Sequence, residues 1–158
     1  MAIYLQYEGI EGTVSSKGHE GWIQLDSMQF GCGRAISTSI GGTADREATK
    51  PSISEISVTK LLDKSSPLLF NEATVGKAKK ATIHLCKTGT SEIETYMSYE
   101  LDDCMISGYS MSTGGDRPNE SLSLNFAKIV TKYTPFNEKG DAGSPIPAGY
   151  NLIEGTKI

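Results

Sequence analysis

Histidine and cysteine have the side chains of this chain best suited to chemistry, and there are few of them. The chain has two histidines and three cysteines. His84 and Cys86 are two positions apart in an alternating segment, so on a β-strand their side chains share one face. A cysteine nucleophile needs its thiolate beside an oriented imidazole, and no local signature around Cys86 supports that role. A buried structural cysteine, which is common and inert, is the better interpretation.

Metal binding and acid–base catalysis find equally little support. A zinc site built from His84, Cys86 and Cys104 would lack a fourth ligand, and the spacing of these residues matches no common zinc pattern. Asp102 and Asp103 are adjacent, so on a strand they point to opposite faces and cannot flank one bond. We therefore predict no catalytic residue, no cofactor and no metal site, and expect a chain that makes surfaces.

Composition bounds the class of protein. The 158 residues suffice for a single domain, predicted to span 1–158, with a real core. The net charge is -4 and the lysines are scattered, which argues against a nucleic-acid backbone as partner. Three cysteines without paired spacing favour a reduced, cytosolic folding compartment. No apolar run approaches the ~20 residues of a membrane-spanning helix, and the first residues show no cleavable leader.

The elements that position these residues are mostly strands, because apolar and polar residues alternate with period two. The predicted strands lie in the segments 3–7, 22–30, 53–61, 81–86, 93–101, 104–109 and 122–133. A change of parity predicts a bulge near Asp26–Ser27, and a break is expected at Asp102–Asp103. Strands at this spacing are typical of an antiparallel β-barrel or two-sheet sandwich.

One short α-helix is expected at about 67–75. Ser66 is predicted to be its N-cap, because a serine hydroxyl can accept a hydrogen bond from a free backbone N–H of the first turn. Pro67 suits the first helical position, where a missing N–H is harmless. Gly76 is predicted to be the left-handed residue that ends the helix.

Two segments do not fit a compact monomer. The first, which we name the arm, is rich in glycine, serine and threonine and covers 36–52. Loops longer than about 15 residues without structure of their own are uncommon, and are either functional or disordered. Two interpretations of the arm remain possible: it is a loose surface loop, or it is an extension that becomes ordered on a neighbouring subunit. The second segment, the tail 137–158, is kept extended by Pro145 and Pro147.

Five segments of the chain, in one order and at one spacing, resemble a known family. Thr59-Lys60, Asp63-Lys64 and Ser66-Pro67 form the pattern T-K-x-x-D-K-x-S-P-x-L. The stretch 120–135, E-S-L-S-L-N-F-A-K-I-V-T-K-Y-T-P, is similar to the family pattern E-x-V-S-L-N-F-x-K-I-x-x-x-Y-x-P. The start 3–12, the hairpin 78–89 and the turn 106–115 add weaker matches. The family is Hcp (haemolysin-coregulated protein) of bacterial type VI secretion.

The resemblance implies a structural subunit with a fold similar to phage tail-tube proteins. It implies a homo-hexameric ring, rings that stack into a tube, a spike protein at the tip, a contractile sheath and effector proteins in the lumen. The protein is then cytoplasmic before firing and secreted afterwards. A free secreted effector or binding module on the same barrel remains the alternative, with an enzyme that uses Cys86 or Cys104 as a minor variant.

Two sets of residues become candidate sites under this hypothesis. The arm is expected to make subunit or ring contacts through Thr38, Ile40, Asp45, Arg46, Glu47 and Lys50. Polar residues opposite the core are expected to line the lumen: Gln24, Ser27, Gln29, Ser121, Ser123 and Asn125. This second assignment uses strand parity alone.

Overall fold

The computed structural model of the chain describes residues 1–38, 40–42, 46–89 and 92–158. In this part of the chain, antiparallel strands dominate and one helix, α1 (Ser66–Val75), lies among them, which confirms the predicted fold class. The strands are β1 (Ala2–Tyr7), β2 (Ile23–Leu25), β3 (Ser27–Gln29), β4 (Cys32–Gly33), β5 (Ile36–Ser37), β6 (Glu47–Ala48), β7 (Ser52–Ile53), β8 (Ile56–Leu61), β9 (Lys79–Thr88), β10 (Ile93–Ser112), β11 (Asn119–Asn125), β12 (Lys128–Tyr133), β13 (Ile146–Asn151) and β14 (Thr156–Lys157).

The barrel closes through two short strands that follow each other along the chain. The paired order is β2-β1-β9-β10-β11-β8-β3, and β2 is separated from β3 by Asp26 alone. The backbone N–H of Asp26 donates to the carbonyl of Thr59 at 2.7 Å. The predicted irregularity near Asp26–Ser27 is therefore the point where the chain leaves β1 and pairs with β8.

The long strand β10 belongs to two groups of paired strands: one contains β9 and β12, and the other contains β11. The break predicted at Asp102–Asp103 is wrong, because β10 continues through it as a bulge. Asp103 has a φ of 52° and the register shifts between Leu101 and Cys104. Aspartate tolerates this left-handed conformation better than most residues. The bulge redirects the strand, which pairs with β9 and β12 before it and with β11 after it.

The prediction of one continuous strand over 122–133 is also wrong. The chain forms β11 and β12 with a bend at Phe126–Ala127, where the N–H of Ala127 donates to the carbonyl of Asp102. Both strands pair with β10, on either side of its bulge. The tail is more regular than expected, because β13 adds to β12 and β14 adds to β13.

The core follows the alternation of the sequence. One buried cluster fills the barrel and includes Leu5, Ile23, Ile83 and Leu124. Burying each such side chain stabilises the fold by about 1.5–3 kcal/mol. A second, smaller cluster lies on the other face of β1 and β9 and comprises Tyr4, Trp22 and Cys86.

The helix has different ends from those predicted. Its N-cap is Ser65, which makes no capping hydrogen bond through its side chain, and Pro67 lies in the first turn as expected. Ser66 is not the cap; its hydroxyl accepts a hydrogen bond from the N–H of Asp63. Gly76 is extended, with φ −68° and ψ 159°, and is not left-handed. A Cβ there would lie 2.4 Å from the carbonyl oxygen of Glu72, so close packing explains this glycine.

Candidate functional site: a polar sheet face and an exposed arm

The outer surface of β3, β8, β11 and the second half of β10 forms one polar face. The strand registers align its side chains in rows. One row consists of Ser27, Thr59, Ser121 and Ser110, and the next consists of Gln29, Ser57, Ser123 and Gly108. All these side chains are uncharged, and between them along β8 and β11 lie buried aliphatic residues of the core. Ser27 and Thr59 are hydrogen-bonded to each other through their hydroxyls.

The six residues predicted to line a lumen do not all lie on this polar face. Ser27, Gln29, Ser121 and Ser123 are in its two rows, and Asn125 continues β11 with the same parity. Gln24 lies elsewhere, because β2 pairs with β1 and places it opposite Tyr4. Parity could predict that a residue faces outward, but the partner strand decides which wall of the barrel it belongs to.

The arm is a ribbon that extends from the barrel. β4 pairs with β7 at its base, and β5 pairs with β6 further out. A side-chain bond from Ser54 to the carbonyl of Gly31, at 2.8 Å, supports the base. The arm therefore has short ladders of its own in the described residues, and which of the two interpretations left open by the sequence applies to it stays a prediction.

The predicted contact residues of the arm are exposed wherever they are described. Ile40 has a relative exposure of 106%, the value of an unprotected side chain. The others that the structure describes are Thr38, Arg46, Glu47 and Lys50, all exposed. Asp45 lies outside the described residues. An apolar side chain held fully in solvent is a reason to look for a partner surface.

A buried ionic network behind the polar face holds the helix on the sheet. Lys60 and Glu120 are opposite each other in the β8–β11 register, with relative exposures of 0% and 1%. The Lys60 ammonium donates to a Glu120 oxygen at 2.7 Å and to Asp63 at 3.1 Å. The hydroxyls of Ser66 and Tyr109 also donate to Glu120. Burial and the Glu120 carboxylate together raise the pKa of Tyr109 to about 12.

The sequence contains a signal for this network that was not used in the prediction. Lys60 has the same parity as Ile56 and Val58, and Glu120 the same parity as Leu122 and Leu124. A charged residue at an inward position needs a partner of opposite charge. Three residues of the network, Lys60, Asp63 and Ser66, belong to the segment T-K-x-x-D-K-x-S-P that carried the family resemblance. These residues of the motif therefore stabilise the fold.

Of the residues considered for chemistry, Cys86 lies in the second cluster and His84 lies against Trp22 of that cluster. His84 and Cys86 share a face of β9, as predicted, and His19 joins them, with its Nε2 atom 3.8 Å from Cys86 Sγ. Burial raises the pKa of the Cys86 thiol, which disfavours a thiolate nucleophile. Cys104 packs in the barrel core instead, so the hypothetical set His84, Cys86 and Cys104 is not brought together. Within the described ranges, no group of three or more His, Cys, Asp or Glu side chains is arranged to hold a metal ion.

No helix in the described part of the chain has both the length and the apolar character needed to cross a membrane.

The fold is thus an antiparallel β-barrel with a polar outer face and a projecting arm. The family model described as "Type VI secretion system effector, Hcp" matches residues 4–133. The chain belongs to the Hcp family of type VI secretion tube proteins, as its motifs predicted. The family consists of structural, secreted proteins and is not a family of enzymes.

Individual relatives agree with this assignment. Protein hcp1 of Pseudomonas aeruginosa is 33% identical over 109 residues, which are 65% of this chain and 66% of that protein, just under two thirds of its length. Among solved structures, a type six secretion system protein superposes with a TM-score of 0.88 at 24% identity, covering 99% of both chains. Hcp1 from Salmonella typhimurium gives a TM-score of 0.79 at 24% identity, covering 99% of this chain and 98% of that one. These structures show the shared fold.

Proposed function

We propose that this chain is the inner-tube subunit of a type VI secretion system. Six copies form a ring, rings stack into a tube, and a contractile sheath drives the tube outward beneath a spike protein. Effector proteins travel in the lumen. The tube is assembled in the bacterial cytoplasm and leaves the cell on firing. Membership of the Hcp family supports this proposal.

The polar face is the observation that carries the proposal. Its two rows present hydroxyl and amide groups without charge, on strands whose other face is the barrel core. A wall of this kind offers hydrogen bonds to many different protein surfaces. Beside the two rows, the exposed Glu55 carboxylate accepts a hydrogen bond from the Ser107 hydroxyl. We infer that the polar face lines the lumen, and that Ser27, Gln29, Ser121, Ser123 and Asn125 contact the cargo.

The arm supplies the second part of the proposal. A head-to-tail contact between two different patches closes into a ring when the rotation between subunits fits. Ile36 and Ile40 on the arm are exposed and gain apolar burial when a neighbouring subunit covers them. We infer that the arm makes subunit or ring contacts, Asp45 included.

Measurement of mass in solution tests the assembly. Light scattering of the purified chain is expected to give six times 17.0 kDa, with ring views in negative-stain images of the same fraction. A monomer across the whole concentration range, with no rings on addition of spike protein as a template, would contradict the tube hypothesis and favour a free effector or binding module.

A further inference from the structure

The two histidines of the chain form a pair in which His19 is buried and His84 is half-buried, and the proposed tube function does not use this pair. His19 Nε2 lies 2.9 Å from His84 Nδ1. His19 is buried, with a relative exposure of 5%, and its Nδ1 atom has no hydrogen-bond partner among the described residues. A hydrogen bond between two imidazoles requires one nitrogen with a proton and one without. The observed contact therefore requires that at least one ring be neutral.

The pair connects a loop segment to the barrel. His19 belongs to the segment 11–22, which we name the flap, and His84 belongs to β9. Backbone hydrogen bonds close the flap on itself, from Gly12 to Gly21 and from Gly21 to Val14, each at 2.8 Å. Its attachment to the barrel uses side chains, which makes it a region able to open without disruption of the sheet.

The surroundings of the pair are apolar and aromatic. The His19 ring lies 4.9 Å from the ring of Tyr4 and 4.7 Å from that of Trp22, and the Trp22 ring lies 4.6 Å from His84. A charged imidazolium in such a place loses most of its hydration. The pocket therefore favours neutral histidines.

The charged and titratable groups near the pair do not offset the positive charge that a histidine gains when it is protonated. Tyr4 from β1 and Cys86 from β9 face it with a phenol ring and a thiol, and β10 contributes the hydroxyl of Thr95, 3.4 Å from His84 Nδ1. Glu20 on the flap is exposed and bonds the N–H of Gly18. The ion pair of Lys17 with Glu92 also joins the flap to the start of β10, but both side chains are well exposed.

We propose that the His19–His84 pair is an acid-sensitive latch, which holds the flap against the barrel while its imidazoles are neutral and releases it when they are protonated. With protons on both rings, two N–H donors would face each other in an apolar pocket. The hydrogen bond is then lost and two positive charges repel. Release of the flap exposes Tyr4 and Trp22.

The direction of the pH dependence follows from how many protons the histidines bind when the flap is closed and when it is open. Burial, together with the charge of His19, lowers the pKa of His84 from 6.5 to about 4, and burial lowers that of His19, against a smaller opposing effect of Glu20. The open flap binds more protons than the closed one. The closed form is thus fully favoured above pH 6.5 and loses stability as the pH falls from 6.5 toward 4.

Nuclear magnetic resonance of the natural chain tests the latch directly. The chain has two histidines, so two imidazole Cε1–H signals report on this pair alone. Both rings are expected to titrate below pH 6.5, with His84 near pH 4. Hydrogen exchange of peptides covering 11–22 should speed up by at least about tenfold between pH 6.5 and 4.5 after correction for intrinsic rates, since each unit is worth up to a factor of ten per histidine. Titration of either ring near pH 6.5 with the flap still protected would overturn the proposal.

Substitutions separate the histidines from other acidic groups. The double change His19→Gln with His84→Gln keeps neutral hydrogen-bonding side chains, and should leave the flap protected down to about pH 4. Glu92→Gln removes the exposed ion pair and should leave the transition where it was. An unchanged transition in the glutamine variant, or its loss in Glu92→Gln, would contradict the latch. If the glutamine variant does not fold, the titration of the natural chain decides. These readouts follow one subunit and do not depend on the proposed ring.

Discussion

At the scale of single residues, the most consequential contact is the buried pair of Lys60 and Glu120. Both charges are removed from water, and each is compensated by the other and by hydroxyl groups around them. The net stabilisation by such a pair is small, yet the loss of one partner is costly, because a charge is left buried and uncompensated. This pair fixes the position of α1 relative to β8 and β11.

We predict that Glu120→Ala destabilises the fold by about 3–5 kcal/mol, the cost of a broken buried ion pair. Urea unfolding followed by circular dichroism measures this change. Ser121→Ala is the matched control, since Ser121 is the exposed neighbour on the same strand, and it should change stability by less than about 0.5 kcal/mol. The double variant Lys60→Met with Glu120→Leu should recover most of the loss. An effect of Glu120→Ala as small as that of the control would contradict this account.

At the scale of elements, the arm differs from the rest of the fold in how little of it is buried. Its strands are two residues long and its described residues are almost all exposed. Its contribution to the stability of a single chain is therefore small, and substitutions on it should separate folding from assembly.

We predict that Ile40→Asp leaves the melting temperature of the isolated chain within about 2 °C of the natural value, since an exposed side chain makes few contacts. The same change should weaken assembly, because a charge would have to be buried in the subunit contact. Calorimetry and sedimentation measure the two effects. Ser15→Asp, an exposed substitution on the flap that also adds one negative charge, is the control for charge alone. Unaltered sedimentation of Ile40→Asp would argue that Ile40 makes no subunit contact.

Strand positions were largely predictable from period two, whereas their connections were not. Alternation identified β1, β8 and β9, because each has one face in the core. It could not distinguish a break from a bulge at Asp103, or show that the chain bends at Phe126–Ala127, since both depend on which strand pairs with β10. The Ser66 cap was wrong for a similar reason: a distant carboxylate, Glu120, binds its hydroxyl.

The candidate site shows the same limit. Parity selected the outward residues of β3 and β11 correctly as polar and accessible, although Ser123 is half covered. It could not place Gln24, because the switch of partner strand at Asp26 lies between Gln24 and Ser27. The histidine pair was beyond prediction, since His19 and His84 are 65 positions apart.

At the scale of the whole molecule, two glutamines offer a test of the lumen assignment. Gln29 lies on the polar face and Gln24 on the neighbouring wall. We predict that Gln29→Arg reduces cargo export, because a long charged side chain narrows the lumen and must be desolvated against cargo. Gln24→Arg, the matched control, should export normally. Both variants should form rings in electron micrographs. Normal export by both variants would show that Gln29 does not line a lumen that carries cargo.

The way β13 and β14 are attached has a mechanical consequence. Among the residues that the structure describes, these strands are joined to the sheet through β12 alone, while β1 is paired on both sides, with β2 and β9. Tension applied through β14 would load the hydrogen bonds of this edge one after another, whereas tension applied along β1 would load two ladders together. The molecule should therefore yield at low force from one end and resist at the other. In the proposed tube, a pushing force carried by β1 would be less able to unfold the subunit than the same force carried by β14.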